Sequence, residues 1–450
     1  MSATHSRPAS ARWGWIRPYR DPLTIAFLVT LLISLIRAPD QPTVSVDIGS
    51  TNVSVDPSDI ALVLLGIWLA VRIVRRRDLP RPSLPVLFAG ALFALWIMAT
   101  AAGNGAGAFV AAGKFVELGV LTVATVYVLE RRENIWPLLV ALVGMNVAAD
   151  ISALSTFVHN FNARQPSFLG EHDLAALSTM TLSVWFAHLY CGDERHKHLS
   201  RAAGVVGVIG VTLGAALASL IGVYLAVAAL AAVAIARGQF RRSTFVVTLL
   251  VAAAITGAVL NLRSDNLGFL RAWFGTNLTS AAKHPEPGAW SQRLIYAYIG
   301  GKVFVANPVL GTGWYPELPP SEYARFLPAA RLRFPNQPAR YFPPANGKFI
   351  PQMAYDQVLY ELGLVGAVVF VLLLVTTVRD SARSGRSPAL AEQEPLAPYL
   401  APAWTASIIG VLAGIAFFGG ATVSVLFWLT IGAAAALAQR VGRPPMAAQP

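Results

Sequence analysis

A few polar residues stand out in an otherwise apolar chain, and their types fit one kind of chemistry. Lys114 and Glu117 lie three residues apart, and Asn146 and Asp150 four apart. Arg164 precedes the run Glu171, His172, Asp173, and Ser219 sits between two apolar stretches. Arg293 heads the segment "SQRLIYAYIGGKVFVANPVLGTGWYPE", followed by Arg325, Arg331, Arg333, Arg340, Lys348 and Asp356. An arginine fork grips phosphate or pyrophosphate through two parallel hydrogen bonds. A base beside it could take the proton of an attacking hydroxyl. His172, Asp173 or Asp150 could be that base, and the arginines could stabilise a pyrophosphate leaving group. A polyprenyl-pyrophosphate sugar would keep its tail in lipid and its head at such a site. Plainer roles exist for each residue. Lys114 and Glu117 suit an i,i+3 ion pair, and Glu171 and Asp173 suit the start of a helix dipole. The basic residues from Arg325 to Lys348 suit a solvated or headgroup-facing surface.

Positioning these groups falls to membrane helices. The 450 residues are 55% hydrophobic and 13% charged, against about 25% charged in soluble globular chains. The fold class is an all-α polytopic membrane protein. About 17–25 mostly apolar residues cross a bilayer core, and twelve stretches are candidates, the first of them short: 22–37, 57–74, 84–101, 109–129, 135–156, 168–190, 203–218, 219–236, 244–261, 357–378, 399–418 and 421–438. Most of the 35 Lys and Arg cluster in alternate connections and in both tails. By the positive-inside rule the tails, 1–21 and 439–450, are cytoplasmic. The polar groups above then gather at the opposite, outer side. The net charge of +12 needs no nucleic-acid partner, because positive-inside placement accounts for it.

Two outer segments are more than connectors. "TVSVDIGSTNVSVDPSD" (43–59) alternates valine with polar residues around a turn and reads as a β-hairpin. The 262–356 loop, between spans nine and ten, is far longer than a connector. Its aromatic content points to a folded cap with short helices. Within it, Tyr296 and Ala297 share the Arg293 face at 100° per residue, whereas Lys302 points away.

Several chemistries lack their motifs. There is no P-loop, no H-E-x-x-H and no G-x-S-x-G. The single cysteine, Cys191, allows neither an internal disulfide nor a multi-cysteine metal site. No metal or other cofactor is implied.

In order and spacing, the chain resembles the O-antigen ligase/O-antigen polymerase family of bacterial glycan enzymes. Twelve spans with one large outer loop between spans nine and ten are similar to that family's plan. "RQPSFLGEHDLAALSTM" (164–180), "ALASLIGVYLAVAAL" (216–230), the Arg293 segment and "YDQVLYELGLVGAVVFVLLL" (355–374) resemble its successive motifs. The chain also departs from it. Leu220 stands where the family has an arginine, Gln352 falls at or near its histidine, and His172 replaces the asparagine that opens span six. Arg293 and Arg164 match charged positions that the family uses. The resemblance implies a metal-independent glycosyltransferase of the plasma membrane. It would move glycan from a polyprenyl-pyrophosphate donor to a sugar or lipid-glycan acceptor. Arg293 would grip the pyrophosphate, with Arg164, Lys114, Asp150 and Lys348 lining the substrate site. The base would be His172, Asp173 or Asp356. A transporter of lipid-linked glycans, or a non-catalytic scaffold of an envelope assembly, is the alternative.

Overall fold

A computed structural model describes residues 21–36, 41–48, 51–75, 83–158, 167–192, 194, 196–262, 289–315, 317–417 and 421–441. Arg164 and most of both tails lie outside the described residues.

The alternating segment forms the expected hairpin. β1 (Val44–Ile48) pairs antiparallel with β2 (Thr51–Val55), with Val44 opposite Val55 and Ile48 opposite Thr51. β2 passes through Asp56 into α2 (Pro57–Arg75). The Asp56 N–H donates to Asp59 Oδ2 at 2.9 Å, closing one arm of a capping box. Pro57, which has no N–H to satisfy, suits the first helical position.

Helices dominate the rest. α1 (Pro22–Leu35), α3 (Leu84–Ala102), α4 (Ala106–Glu117), α5 (Gly119–Leu129), α6 (Ile135–Phe157), α7 (Glu171–Cys191) and α8 (Lys197–Gly214) follow the predicted stretches. So do α9 (Leu217–Ala236) and α10 (Arg242–Leu262). Leu118 keeps helical angles between α4 and α5, so the two continue as one rod. Beyond the cap come α14 (Ala354–Arg386), α15 (Pro388–Gln393), α16 (Ala397–Leu412) and α17 (Ala421–Arg440). Each predicted stretch overlaps helix, with 109–129 lying across α4 and α5 and 203–218 running through the turn between α8 and α9. Among the described residues, nine helices are long and apolar enough to cross a membrane, and α1 and α16 are apolar but shorter. The protein is thus a multi-pass membrane protein.

Burial separates centre from rim. The most apolar window of α17 is 94% buried and that of α7 is 78%, against 17% for α2 and 22% for α10. α17 and α7 form the axis. The rim helices expose rows such as Ile60, Val63, Leu64 and Ile67, which lipid would cover. Where lipid removes the hydrophobic drive between helices, small residues allow close packing. A methyl group on Gly207 of α8 would lie 2.8 Å from the backbone of Leu182 on α7. On α9 and α16, Gly222 and Gly410 touch backbone to backbone.

The cap is folded where it is described. α11 (Ala289–Ala306), α12 (Pro320–Tyr323) and α13 (Leu327–Arg333) surround a second core. That core includes Ile295, Tyr296, Ile299, Tyr323, Phe349 and Tyr360. Leu318 and Phe349 close it with an antiparallel bridge.

α14 departs from the uniform span expected at 357–378. It is broken at Gly363, whose φ of 64° and ψ of −167° are not helical. The turn after α11 fills the break. Thr312 and Gly313 donate their N–H groups to the carbonyls of Tyr360 (3.0 Å) and Glu361 (2.8 Å). In return, Leu364 and Val365 donate to Pro308 (2.8 Å) and Val309 (3.2 Å). Backbone groups freed inside a membrane helix need such partners. From the side, Trp96 Nε1 donates to Leu362 O at 3.1 Å, and Asn104 Nδ2 donates to Thr312 O at 3.2 Å.

Candidate functional site at the cap end of the bundle

Arg293 is the fixed point. It lies near the start of α11, and only 4% of it is exposed. Its neighbours come from the ends of two other elements. A methyl group on Gly414, just past α16, would stand 3.8 Å from Arg293 Nη1 and 2.6 Å from the Ala218 Cβ. Ala218 belongs to the first turn of α9. Arg293, the end of α16 and the start of α9 therefore meet at one point.

The turn between α8 and α9 is tight. Ala215 has φ 45°, the only positive φ of a non-glycine residue among those described. Such a backbone costs an alanine roughly 1–2 kcal/mol. The strained turn directs the N-terminal end of α9 toward Arg293, and no acid occupies the first turn of that helix. Ser219 there is fully buried, with no hydrogen bond to its hydroxyl among the described residues.

α7 begins beside the same turn. A methyl group on Gly214 would come 2.7 Å from the Glu171 carbonyl. Glu171 and His172 are half-buried here, and Asp173 is buried. Asp173 Oδ1 accepts the Val423 N–H at 3.3 Å, so this carboxylate is engaged at the first turn of α17. The contact explains why an acid is useful there: it satisfies an orphan donor at a helix start.

α14 contributes a second polar group. Gln357 accepts the Phe417 N–H (3.2 Å) and donates to Glu361 Oε2 (3.1 Å). Gln357 and Glu361 are both fully buried. Asp356 turns toward α11: a methyl group on Gly300 would lie 2.7 Å from both of its carboxylate oxygens. Gly300 is two helical turns beyond Arg293 on the same face, about 10 Å along the axis. In the cap core between them, burial pushes the Tyr296 phenol up, while a hydrogen bond from Gln292 pulls it down.

Deeper in the bundle, Asp150 Oδ1 accepts from Asn146 Nδ2 (3.1 Å), and Asn146 Oδ1 accepts from Thr181 (2.6 Å). This chain joins α6 to α7. Asp150 is buried, and none of the described residues hydrogen-bonds its Oδ2.

Of the residues assigned from the sequence, Lys114 and Lys348 are paired away from this cluster. Lys114 is engaged elsewhere, with its amine 3.1 Å from Asp56 Oδ2 and 2.8 Å from Asp59 Oδ2. It ties α4 to the capped start of α2, so its charge is already matched. Lys348 pairs with Glu317 on the cap surface and is 74% exposed. Arg164 lies outside the described residues. The structure therefore sets Arg293 beside the start of α9, the Glu171 carbonyl beside the α8–α9 turn, Asp356 of α14 against Gly300 of α11, and Asp150 between α6 and α7.

Gln357, Glu361 and the Gly311–Gly363 contact were not read from the sequence. One signal for Glu361 was present: an acid inside an apolar run, two residues before a glycine. No signal linked Gly311 to Gly363, because their contact depends on two distant segments meeting.

No protein-family model matches the chain, and no curated protein matches its sequence. No cluster of three or more His, Cys, Asp or Glu suited to a metal ion occurs among the described residues.

Proposed function

We propose that the chain is an integral membrane glycosyltransferase of the O-antigen ligase or polymerase type. It would work at the outer face of the plasma membrane, with both termini cytoplasmic and twelve membrane spans. Its donor would be a glycan on a polyprenyl-pyrophosphate carrier, and its acceptor a sugar or lipid-linked glycan hydroxyl. The observation carrying this reading is the buried Arg293 guanidinium set against the acid-free N-terminal end of α9. An arginine and a helix N-terminus together favour an anion with several oxygens.

The chemistry follows from those groups. The acceptor hydroxyl attacks the anomeric carbon as the bond to the pyrophosphate oxygen breaks. The hydroxyl proton passes to a base, and negative charge builds on the departing pyrophosphate, where Arg293 and the α9 end stabilise it. Asp173 already accepts the Val423 N–H, which suits it to holding α17 in place. His172 is the preferred base, because it follows Glu171, whose carbonyl packs on the α8–α9 turn, and Asp356 is the alternative.

A broken membrane helix is also a transporter feature, so the break in α14 bears on the choice. In transporters the freed backbone groups face a substrate or ion. Here four backbone hydrogen bonds from the 308–313 turn occupy them. That favours a fixed site over an alternating one.

The test is Arg293→Ala, purified and reconstituted with a polyprenyl-pyrophosphate glycan donor. Glycan transfer should be lost while the protein stays folded. Full transfer activity would refute the assignment. Lack of transfer by the folded wild-type protein would instead favour the scaffold.

A further inference from the structure

The cap carries a ladder of two rings with a cation at each end. Lys302 Nζ sits 5.6 Å from the Tyr298 ring centre. The Tyr298 ring meets Phe334 edge-on at 5.7 Å, and the Arg333 guanidinium lies 5.7 Å from the Phe334 ring. The ladder thus joins α11 to the end of α13. Both cations are exposed, as is Arg331. Between Arg331 and Arg333, Leu332 is 83% exposed, more than any other large hydrophobic residue described. This leucine lies outside the cap core.

The fold sets the height of the ladder. From Arg379, in the arginine-rich end of α14, back to Leu364 is 15 residues, or about 22 Å of helix. A hydrocarbon core is about 30 Å thick. Leu364 therefore lies inside the far leaflet, and its N–H is bonded to Pro308. Val309 and Leu310, in the same turn, are exposed and apolar, as lipid contact requires. α11 then rises along α14. Gly300 touches Asp356 and Tyr360, which lie on the other side of the Gly363 break from Arg379. Lys302 and Tyr298 flank Gly300, which puts the ladder past the Leu364 level, toward the headgroups.

We propose that this face of the cap docks on anionic phospholipid headgroups, with Leu332 dipping into the interface. Two features support that occupant. Lys302, Arg331 and Arg333 are all positive, and each basic residue near an anionic surface strengthens binding; Tyr298 is a ring type enriched in interfacial belts. The inference rests on the membrane topology and not on glycosyl transfer.

The test places an environment-sensitive fluorophore at Leu332→Cys in a Cys191→Ser background, using the full chain in vesicles. One set of vesicles is phosphatidylcholine, and the other adds phosphatidylglycerol. With phosphatidylglycerol the probe emission should shift to the blue, a spin-labelled lipid should quench it, and iodide access should fall several-fold. Adding Lys302→Gln, Arg331→Gln and Arg333→Gln should return it to water-like emission. A probe equally open to iodide in both vesicles would overturn the proposal. So would a probe buried equally with and without the three cations.

Discussion

Gly311 and Gly363 touch backbone to backbone, although 51 residues of chain separate them. A methyl group on either would collide with the other's segment, and both have positive φ, at 72° and 64°. This contact lets the turn after α11 close the gap in α14. It couples the helix that carries Arg293 to a membrane span.

Gly363→Ala should therefore destabilise the protein more than a typical helix substitution does. Backbone angles such as those of Gly363 are nearly confined to glycine, and the strain alone costs roughly 1–3 kcal/mol. The added clash with the 308–313 turn increases the loss. A fall in thermal unfolding temperature in detergent, with loss of cap protection in hydrogen exchange, would show it. An unchanged melt would mean that the turn is not seated in the break.

Glycine substitutions should differ in sign by position. Gly410→Leu would force α16 off Gly222 of α9 and should prevent stable folding, because the backbones have no room to part. Gly257→Ala, in exposed α10 with nothing within 4 Å, should stabilise by up to about 1 kcal/mol from helix propensity. Expression level and melting temperature of the two variants measure both signs.

Arg293→Lys separates charge from geometry. A lysine keeps the charge but loses the two-pronged fork. Transfer should fall by about 10-fold or more, with a raised KM for the donor, if the fork grips a pyrophosphate. Unchanged kinetics would show that any cation serves there.

The base is tested by a pair of variants. His172→Ala should lower kcat by about 10²–10⁴-fold, the range for removing a general base, with little change in donor KM. Asp356→Asn should have a smaller effect on kcat. The reverse order would move the base to Asp356.

Lys114 and Asp59 should be energetically coupled. A double-mutant cycle through Lys114→Ala and Asp59→Ala should give an interaction of about 0.5–3 kcal/mol, measured by unfolding. Additivity would show that the 2.8 Å contact contributes nothing.

Much of this protein is determined locally. A helix in lipid satisfies its own backbone, so apolar length marks the helices in the sequence, although not the break at Gly363. The hairpin at 43–59 is equally local: alternation and a short turn suffice. The opposite faces of Arg293 and Lys302 follow from helical geometry, and the structure has one buried and the other exposed. The tertiary structure decided the partners. Lys114 could have served a substrate, but the fold brings it to Asp56 and Asp59. Asp173, a base candidate by its residue type, also meets an orphan N–H of α17, a partner its own helix does not show. Glu361 became notable only when the turn from Asn307 to Trp314 closed over the break beside it. Spacing along one helix shows which face a residue takes. What stands opposite that face depends on how separate helices pack, and in lipid that packing is set by close contacts between small residues such as Gly222 and Gly410, which no local pattern announces.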